Sequence, residues 1–496
     1  MTQFNQLEAW VMSTYQRLER LDVPVFDTTI EREVLPLQES YEMAQLKMLS
    51  TDLPAECMSI SDYLQGKHSV NSTLNDTSAK LSLLFRYLAS PMRYEPFNEN
   101  PVHKAVPSAR CMYPLTFIMI VNDNNKPQAY KYCPDFHALQ VIDAPFSTDD
   151  THSKNSVSIL CIGNIWKAAE KYGEFGHFPC VLESGHAFSQ LHLLLGMLDW
   201  KATSSDFDIH TGHQFCHSVV DTPLFSVGID VGENFSSSVE DILNINQLRH
   251  VTVRLPTVLE NKGLAERFDR LGNMQSIFSA GEFLSPVADS RNNTLENLRV
   301  GAKGLLDTLR SRQSGNDRSG MSPVVQNLPT DQLEQILNLF NALRARRGVC
   351  AEEELLSFNF AWLADSGAQP GLYDEFGTSL AVDISAQELK QKIQNILPYK
   401  MMRYNTSAMT LVCFITTEPL DAIHDLGESA FRNMHISAGA AAQDLSVAAA
   451  SLGMFSRPVR MMREERVEQA LPVKGHVLYQ VLCGFNRRHN LTFEVL

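Results

Sequence analysis

The chain has 496 residues, 44% of them hydrophobic and 20% charged. That is the balance of a globular protein too long for one ordinary core, so two or more domains are expected. The net charge of −15 argues against a nucleic-acid partner, which is held through Lys and Arg on phosphates, but it leaves room for one local basic pocket.

The first residues, MTQFNQLEAWVMSTYQ, lack the basic and apolar regions of a signal peptide. No stretch supplies the ~20 apolar residues needed to span a bilayer. Residues 1–60 carry apolar positions at helical spacing (Leu7, Trp10, Val11, Tyr15, Leu18) and are expected to be a mostly helical packing or docking segment. In 61–235, SAKLSLLFRYLAS predicts a helix capped by Ser78, and YPLTFIMIVND predicts a strand that stops at the turn NDNNKP. AFSQLHLLLGMLDW predicts a deeply buried helix, and PLFSVGID a closing strand. Residues 236–310 form a polar connector, and mixed helix and strand fill 311–496. The nine cysteines are scattered with no C-x-x-C and no zinc spacing, which favours reduced thiols, a cytoplasmic compartment and no metal.

The second half repeats the first. Gly173, Glu174 and Gly185 fall on Gly427, Glu428 and Gly439, each pair 254 residues apart, and Leu191 and Leu198 meet Leu445 and Leu452 at the same offset. Each copy is expected to end in a buried helix that begins just after a glycine. Residues 67–84 resemble 317–337, and 129–139 resemble 371–380, in the same order along the chain. Lys171-Tyr172-Gly173 has a structural reading, a cation in the last helical turn followed by a capping glycine. Its counterpart Asp425-Leu426-Gly427 keeps the glycine without Lys or Tyr, so a cap does not require the pair. Glu183 and His186 read as a helix N-terminal cap and a polar pocket wall.

Several segments together resemble the nitroreductase-like flavoproteins, and more narrowly the SagB-type azoline dehydrogenases of thiazole/oxazole-modified peptide (RiPP) biosynthesis. They are 107-PSARCMYP-114, 130-YKYCPDFHAL-139, 371-GLYD-374, Lys171-Tyr172-Gly173, Glu183-Ser184-Gly185-His186 and Arg318-Ser319. The resemblance covers roughly 61–235 and 318–496. It implies an α+β fold of two tandem nitroreductase-like domains, 61–235 and 311–496, forming an intramolecular pseudo-dimer around FMN. Arg318 and Ser319 would hold the phosphate, with Arg487 or Arg488 as a second cation. Pro107, Ser108 and Ala109 would form a loop crossing from the other half, and Arg457 would face the flavin. Arg110 departs from the family's glycine, and the matching stretch near 350-CAEEELLSFNF-360 is eroded. His68-Ser69 replaces Arg-Ser in the first half, so one FMN is expected. Lys171 and Tyr172 match the catalytic pair: a desolvated lysine can serve as base, and a tyrosine hydroxyl can donate to the azoline nitrogen. The implied partners are a precursor peptide and a YcaO-type cyclodehydratase, with no membrane, no nucleic acid and a homo-oligomer left open. Two alternatives stand beside this reading: a general NAD(P)H-dependent nitroreductase-type reductase, and a degenerate flavoprotein scaffold.

Overall fold

The computed structural model describes residues 11, 46–67, 77–98, 100–123, 126–142, 156–205, 207–216, 221–231, 282–284, 303–315, 321, 323–381, 384–398, 404–427, 429–487 and 491–495. The expectations for most of 1–60 and 236–310, and for Arg318, Ser319, Arg488, His68 and Ser69, lie outside these residues.

In the first half, β1 (Leu46–Met48), helices α1 (Ile60–Leu64) and α2 (Thr77–Ala89), and strands β2 (Pro91–Tyr94) and β3 (Val102–Lys104) lead into a sheet. Besides β1, its members are β4 (Leu115–Asp123), β5 (Lys126–Cys133), β6 (Ala138–Ile142), β7 (Ser156–Gly163), β8 (Lys201–Thr203) and β9 (Thr222–Asp230). Helices α3 (Ile165–Tyr172) and α4 (His177–Met197) lie between β7 and β8, and α5 (Ile209–His213) precedes β9. The sheet is antiparallel, in the order β1-β6-β5-β4-β7-β9-β8. YPLTFIMIVND is therefore a central strand. PLFSVGID is the last strand of this half in sequence, but it lies inside the sheet.

The second half opens with α6 (Leu305–Ser311), β10 (Pro323–Val324), α7 (Gln332–Arg347) and α8 (Ala351–Glu354). It continues with β11 (Ser357–Trp362), β12 (Gly371–Tyr373), β13 (Ser379–Ala381), α9 (Ala386–Ile396) and β14 (Leu411–Thr417). Helices α10 (Pro419–Leu426) and α11 (Ser429–Ser451) follow, then β15 (Phe455–Val459), α12 (Glu464–Ala470), β16 (His476–Asn486) and β17 (Phe493–Glu494). Here the order is β10-β16-β14-β11-β12-β13, with β15 also on β16. The hairpin, the central pair and the strand after the long helix thus occur in the same order in both sheets.

The copies align closely around the long helices. α3 and α10 both have eight residues and start 254 residues apart. Each ends on a glycine with positive φ, Gly173 at 57° and Gly427 at 83°, where a side chain would be strained. α4 and α11 are buried along nearly their whole length, as their apolar and alanine-rich sequences require. They pack on each other, and the crossing explains two glycines. A Cβ on Gly185 would lie 2.0 Å from Ile436 O, and one on Gly439 would lie 2.1 Å from Leu182 O. The four residues form two pairs at the same 254-residue offset, so the contact is the same from either side. These two glycines sit inside the helices, while the glycine that α4 starts directly after is Gly176.

Three expectations are corrected. Ser78 is the second residue of α2, not its cap. Leu46–Met48 is an edge strand on β6, because its short run pairs with the hairpin's outer strand rather than coiling. Glu183 is mid-helix, because α4 starts at His177 with Pro179 in its first turn, where a missing N–H costs nothing.

A third small sheet joins the halves: β17 pairs with β2, and β2 with β3. Among the described residues, no helix is long and apolar enough to cross a membrane.

Candidate active site between the halves

The segment after β3 carries the Pro107-Ser108-Ala109 element. It is a tight loop with a 3-10 turn at Ala109–Cys111, and Arg110, Cys111 and Tyr113 all have positive φ, at 52°, 53° and 48°. Three non-glycine residues in the left-handed region within four positions store about 1 kcal/mol or more each. The surroundings hold the loop in place. The Tyr113 N–H donates to Ser108 Oγ at 2.9 Å, and the Ser108 hydroxyl donates to Glu183 Oε2. Lys104 N–H donates to the Tyr113 hydroxyl at 3.0 Å, and the Lys104 ammonium lies 4.5 Å from the Tyr113 ring centre.

Glu183 is the residue whose place the sequence motif misassigns: it lies inside α4 and not at its N-terminus. Burial pushes its carboxyl up to about 8, against the Ser108 hydrogen bond and the charges of Lys104 and Lys167. Burial also brings Lys104 down to about 8, although Glu183 opposes this. ESGH looked like a helix start, and the signal that could have placed it was the apolar run FPCVL before it.

One turn along α4, His186 joins the two halves. Its Nδ1–H donates to Gln443 Oε1 at 3.1 Å, and its Nε2 accepts from the Tyr479 hydroxyl at 3.2 Å. Burial lowers its pKa to about 3, so it is a neutral spacer rather than an acid. Gln443 Nε2 donates to Gln190 Oε1 at 3.0 Å, and Ser189 to Asp444 Oδ1 at 2.5 Å.

Tyr172 is partly buried at the end of α3 and is hydrogen-bonded to Arg110 of the loop. Burial raises its phenol pKa, while Arg110 and then Arg457 pull it down. Arg457 on β15 is partly buried, with its guanidinium 5.0 Å from the Tyr404 ring centre. Tyr172, Arg110, Arg457 and Tyr404 therefore converge from both halves. Lys171, the preceding residue, is exposed. Arg487 follows β16 and is also exposed. Pro107, Ser108 and Ala109 are each partly buried.

The fit of a flavin can be tested on the strands beside this cluster. Ser456 Oγ and both ends of the Gln480 amide are fully buried, with no hydrogen-bond partner among protein groups. Orphaned polar groups of this kind cost about 1–3 kcal/mol each unless something else pairs with them. They lie on β15 and β16, the strands that carry Arg457 and lead to Arg487. Unfilled buried donors and acceptors suit the polar edge of a flavin ring, so the residues fit the group.

At the corresponding place in the second half there is no such loop. α8 fills it, and Glu353 is fully buried between Arg344 (2.8 Å) and Arg347 (2.8 Å), with Arg347 also 2.9 Å from Asp444. Burial pushes Glu353 up, but the two arginines outweigh it and hold the carboxyl below its ordinary range. No cluster of three potential metal ligands occurs among the described residues.

Residues 326–485 match the model of the nitroreductase family. No protein of curated function matches the chain. Among solved structures, a protein from Anabaena variabilis assigned as a nitroreductase superimposes with a TM-score of 0.60 at 14% identity, over 90% of this chain and 96% of its own. A shorter protein from Ralstonia eutropha, similarly assigned, gives a TM-score of 0.28 at 15% identity, over 42% of this chain and 97% of its own. An enone reductase of gut-bacterial fatty-acid saturation gives 0.24 at 12%, over 38% and 90%.

Proposed function

We propose that the chain, which carries a nitroreductase-family segment on an α+β nitroreductase fold, is a flavin-dependent oxidoreductase. In this reading its two halves pair as an intramolecular pseudo-dimer around one FMN, and the reaction oxidises thiazoline or oxazoline rings of a ribosomal precursor peptide. The observation that carries the site is the convergence of the first half's Arg110 and Tyr172 with the second half's Arg457 and Tyr404. The single site rests on the second half having a buried ion-pair cluster where the first has its loop. The azoline branch rests on Lys171-Tyr172, which α10 lacks although it has the same length and cap.

Bound there, FMN supplies the hydride acceptor. Arg457, Arg487, Arg318 and Ser319 would hold its anionic edge and phosphate, and Pro107–Ala109 would shield it from water. Arg110 fixes the Tyr172 hydroxyl, which stays protonated because burial raises its pKa, and that hydroxyl donates to the ring nitrogen of the substrate. Lys171, at the rim, takes the ring C–H proton once substrate covers it. A YcaO-type cyclodehydratase in the cytoplasm supplies the azoline peptide, with residues 1–60 and 236–310 as its docking segments.

The test is mass spectrometry of an azoline peptide incubated with purified protein, together with flavin quantification. The expected result is one FMN per chain and the loss of two hydrogens per ring. Tyr172→Phe and Lys171→Ala should each slow oxidation about 100-fold with flavin retained. Unchanged peptide oxidation in both variants would remove the pair from the mechanism. Nicotinamide-driven nitro reduction without peptide oxidation would favour a general reductase, and a protein that binds no flavin would be a scaffold.

A further inference from the structure

The crossing loop carries a second group of side chains that the flavin reading does not use. Cys111 Sγ lies 3.9 Å from His103 Nδ1, and Glu95 Oε2 lies 3.4 Å from His103 Nε2. The second contact is close enough for charge pairing but lacks the alignment of a hydrogen bond. Glu95 is itself fixed, accepting from Arg93 Nε at 2.7 Å and from Asn98 Nδ2 at 3.1 Å. His103 and Glu95 are buried at 8% and 5% exposure, while Cys111 is partly exposed. A thiol, an imidazole that can accept its proton and a carboxylate behind the imidazole form the order of a nucleophile, a base and an orienting group.

The fourth member is Arg312. Its guanidinium is 2% exposed, donates from Nε to Ala105 O at 2.6 Å and from Nη2 to Lys104 O at 3.2 Å, and has no partner at Nη1. Burial raises the Cys111 thiol above its ordinary range, with Glu183 adding to it, while the Tyr113 hydroxyl, Arg312 and Arg457 oppose the rise, so deprotonation depends on the adjacent imidazole. Burial raises the other two partly exposed thiols as well, so what sets Cys111 apart is the imidazole beside it. Burial and then Glu56 push Cys57 up to about 12, and burial and then Asp221 push Cys216 up.

We infer that Cys111, His103 and Glu95 form a thiol-addition site that takes an α,β-unsaturated carboxylate, with Arg312 Nη1 receiving the carboxylate. The inference is independent of the flavin reading. In the addition, the thiol proton passes to His103 Nδ1 and Sγ bonds to the β-carbon. The alkene π pair moves to the α-carbon, which then takes the proton back from the imidazolium. One S–H bond and one π bond are lost, one S–C and one C–H bond are gained, and nothing is oxidised or reduced. Glu95 stabilises the transient imidazolium, and the strained backbone at Cys111 presents the sulfur from a short turn.

The experiment treats the full-length protein with monomethyl fumarate, or with dimethyl fumarate as the uncharged comparison, and maps modified cysteines by peptide mass. Cys111 should react about 100-fold faster than Cys57 and Cys216 with the monoester, as general-base assistance predicts. The monoester-to-diester rate ratio should also be larger at Cys111 than at the other two. His103→Gln should bring Cys111 down to the rate of Cys57. If that variant unfolds, Glu95→Gln should slow Cys111 alone. Equal rates at the three cysteines, or a Cys111 rate untouched by a folded His103→Gln or Glu95→Gln variant, would overturn the site. An equal reagent ratio at all three would overturn the role of Arg312.

Discussion

Replacing Gly185 with alanine sets helix propensity against packing. In an ordinary helix interior, Gly→Ala stabilises by about 1 kcal/mol. At Gly185 the new methyl carbon would sit 2.0 Å from Ile436 O, 2.8 Å from Ala440 N and 2.8 Å from Gly439 Cα. These are backbone atoms of a buried helix, so no rotamer change relieves them. α4 and α11 must move apart by roughly 1 Å, and every contact along the crossing weakens with the gap. Overpacking of this kind costs about 1–3 kcal/mol, and here a whole helix pair is displaced, so a net destabilisation of about 2 kcal/mol is expected after the propensity gain. Urea unfolding of Gly185→Ala against the unmodified chain measures it. Gly196→Ala, in the last turn of the same helix, is the control, because its methyl would meet the movable Tyr63 ring at 3.1 Å. Adding Gly439→Ala should cost less than its single effect, since the gap is already open. A Gly185→Ala protein stabilised by about 1 kcal/mol would refute the crossing.

Two further outcomes are expected. Glu183 is raised to about 8, so its contribution to stability is full below the ordinary carboxyl range and is lost as pH rises through about 8. Glu183→Gln should flatten that decline in urea midpoint between pH 5 and 8, and an unaltered profile would show that the carboxyl ionises normally. Glu353→Gln leaves Arg344 and Arg347 short of a buried counter-charge and should destabilise by about 3–5 kcal/mol. A change below about 1 kcal/mol would mean that the cluster is hydrated and not closed.

Much of the architecture is legible in the sequence because it rests on local rules. The glycine caps of α3 and α10, the apolar run of β4 and the offset of 254 residues each reflect backbone conformation or burial that a short window records. Gly185 and Gly439 were visible as a matched pair, but their meaning was not: a glycine demanded by another helix looks the same as one demanded by a turn. The site was legible only in its motifs. Glu183 was read as a cap because burial depends on what lies across the crossing. Arg110 and Arg457 were noted separately, since only tertiary structure brings them to Tyr172. Arg312, His103 and Glu95 passed unnoticed for the same reason.

The small sheet of β17, β2 and β3 has a consequence for the order in which the molecule is built. Phe493 pairs with Tyr94, roughly 400 residues earlier, and β3 runs directly into the crossing loop. During synthesis the hairpin that supports this loop has an open edge until residues 493–494 leave the ribosome. The first half can fold early, but the frame of its loop closes only after β16 of the second half has been made.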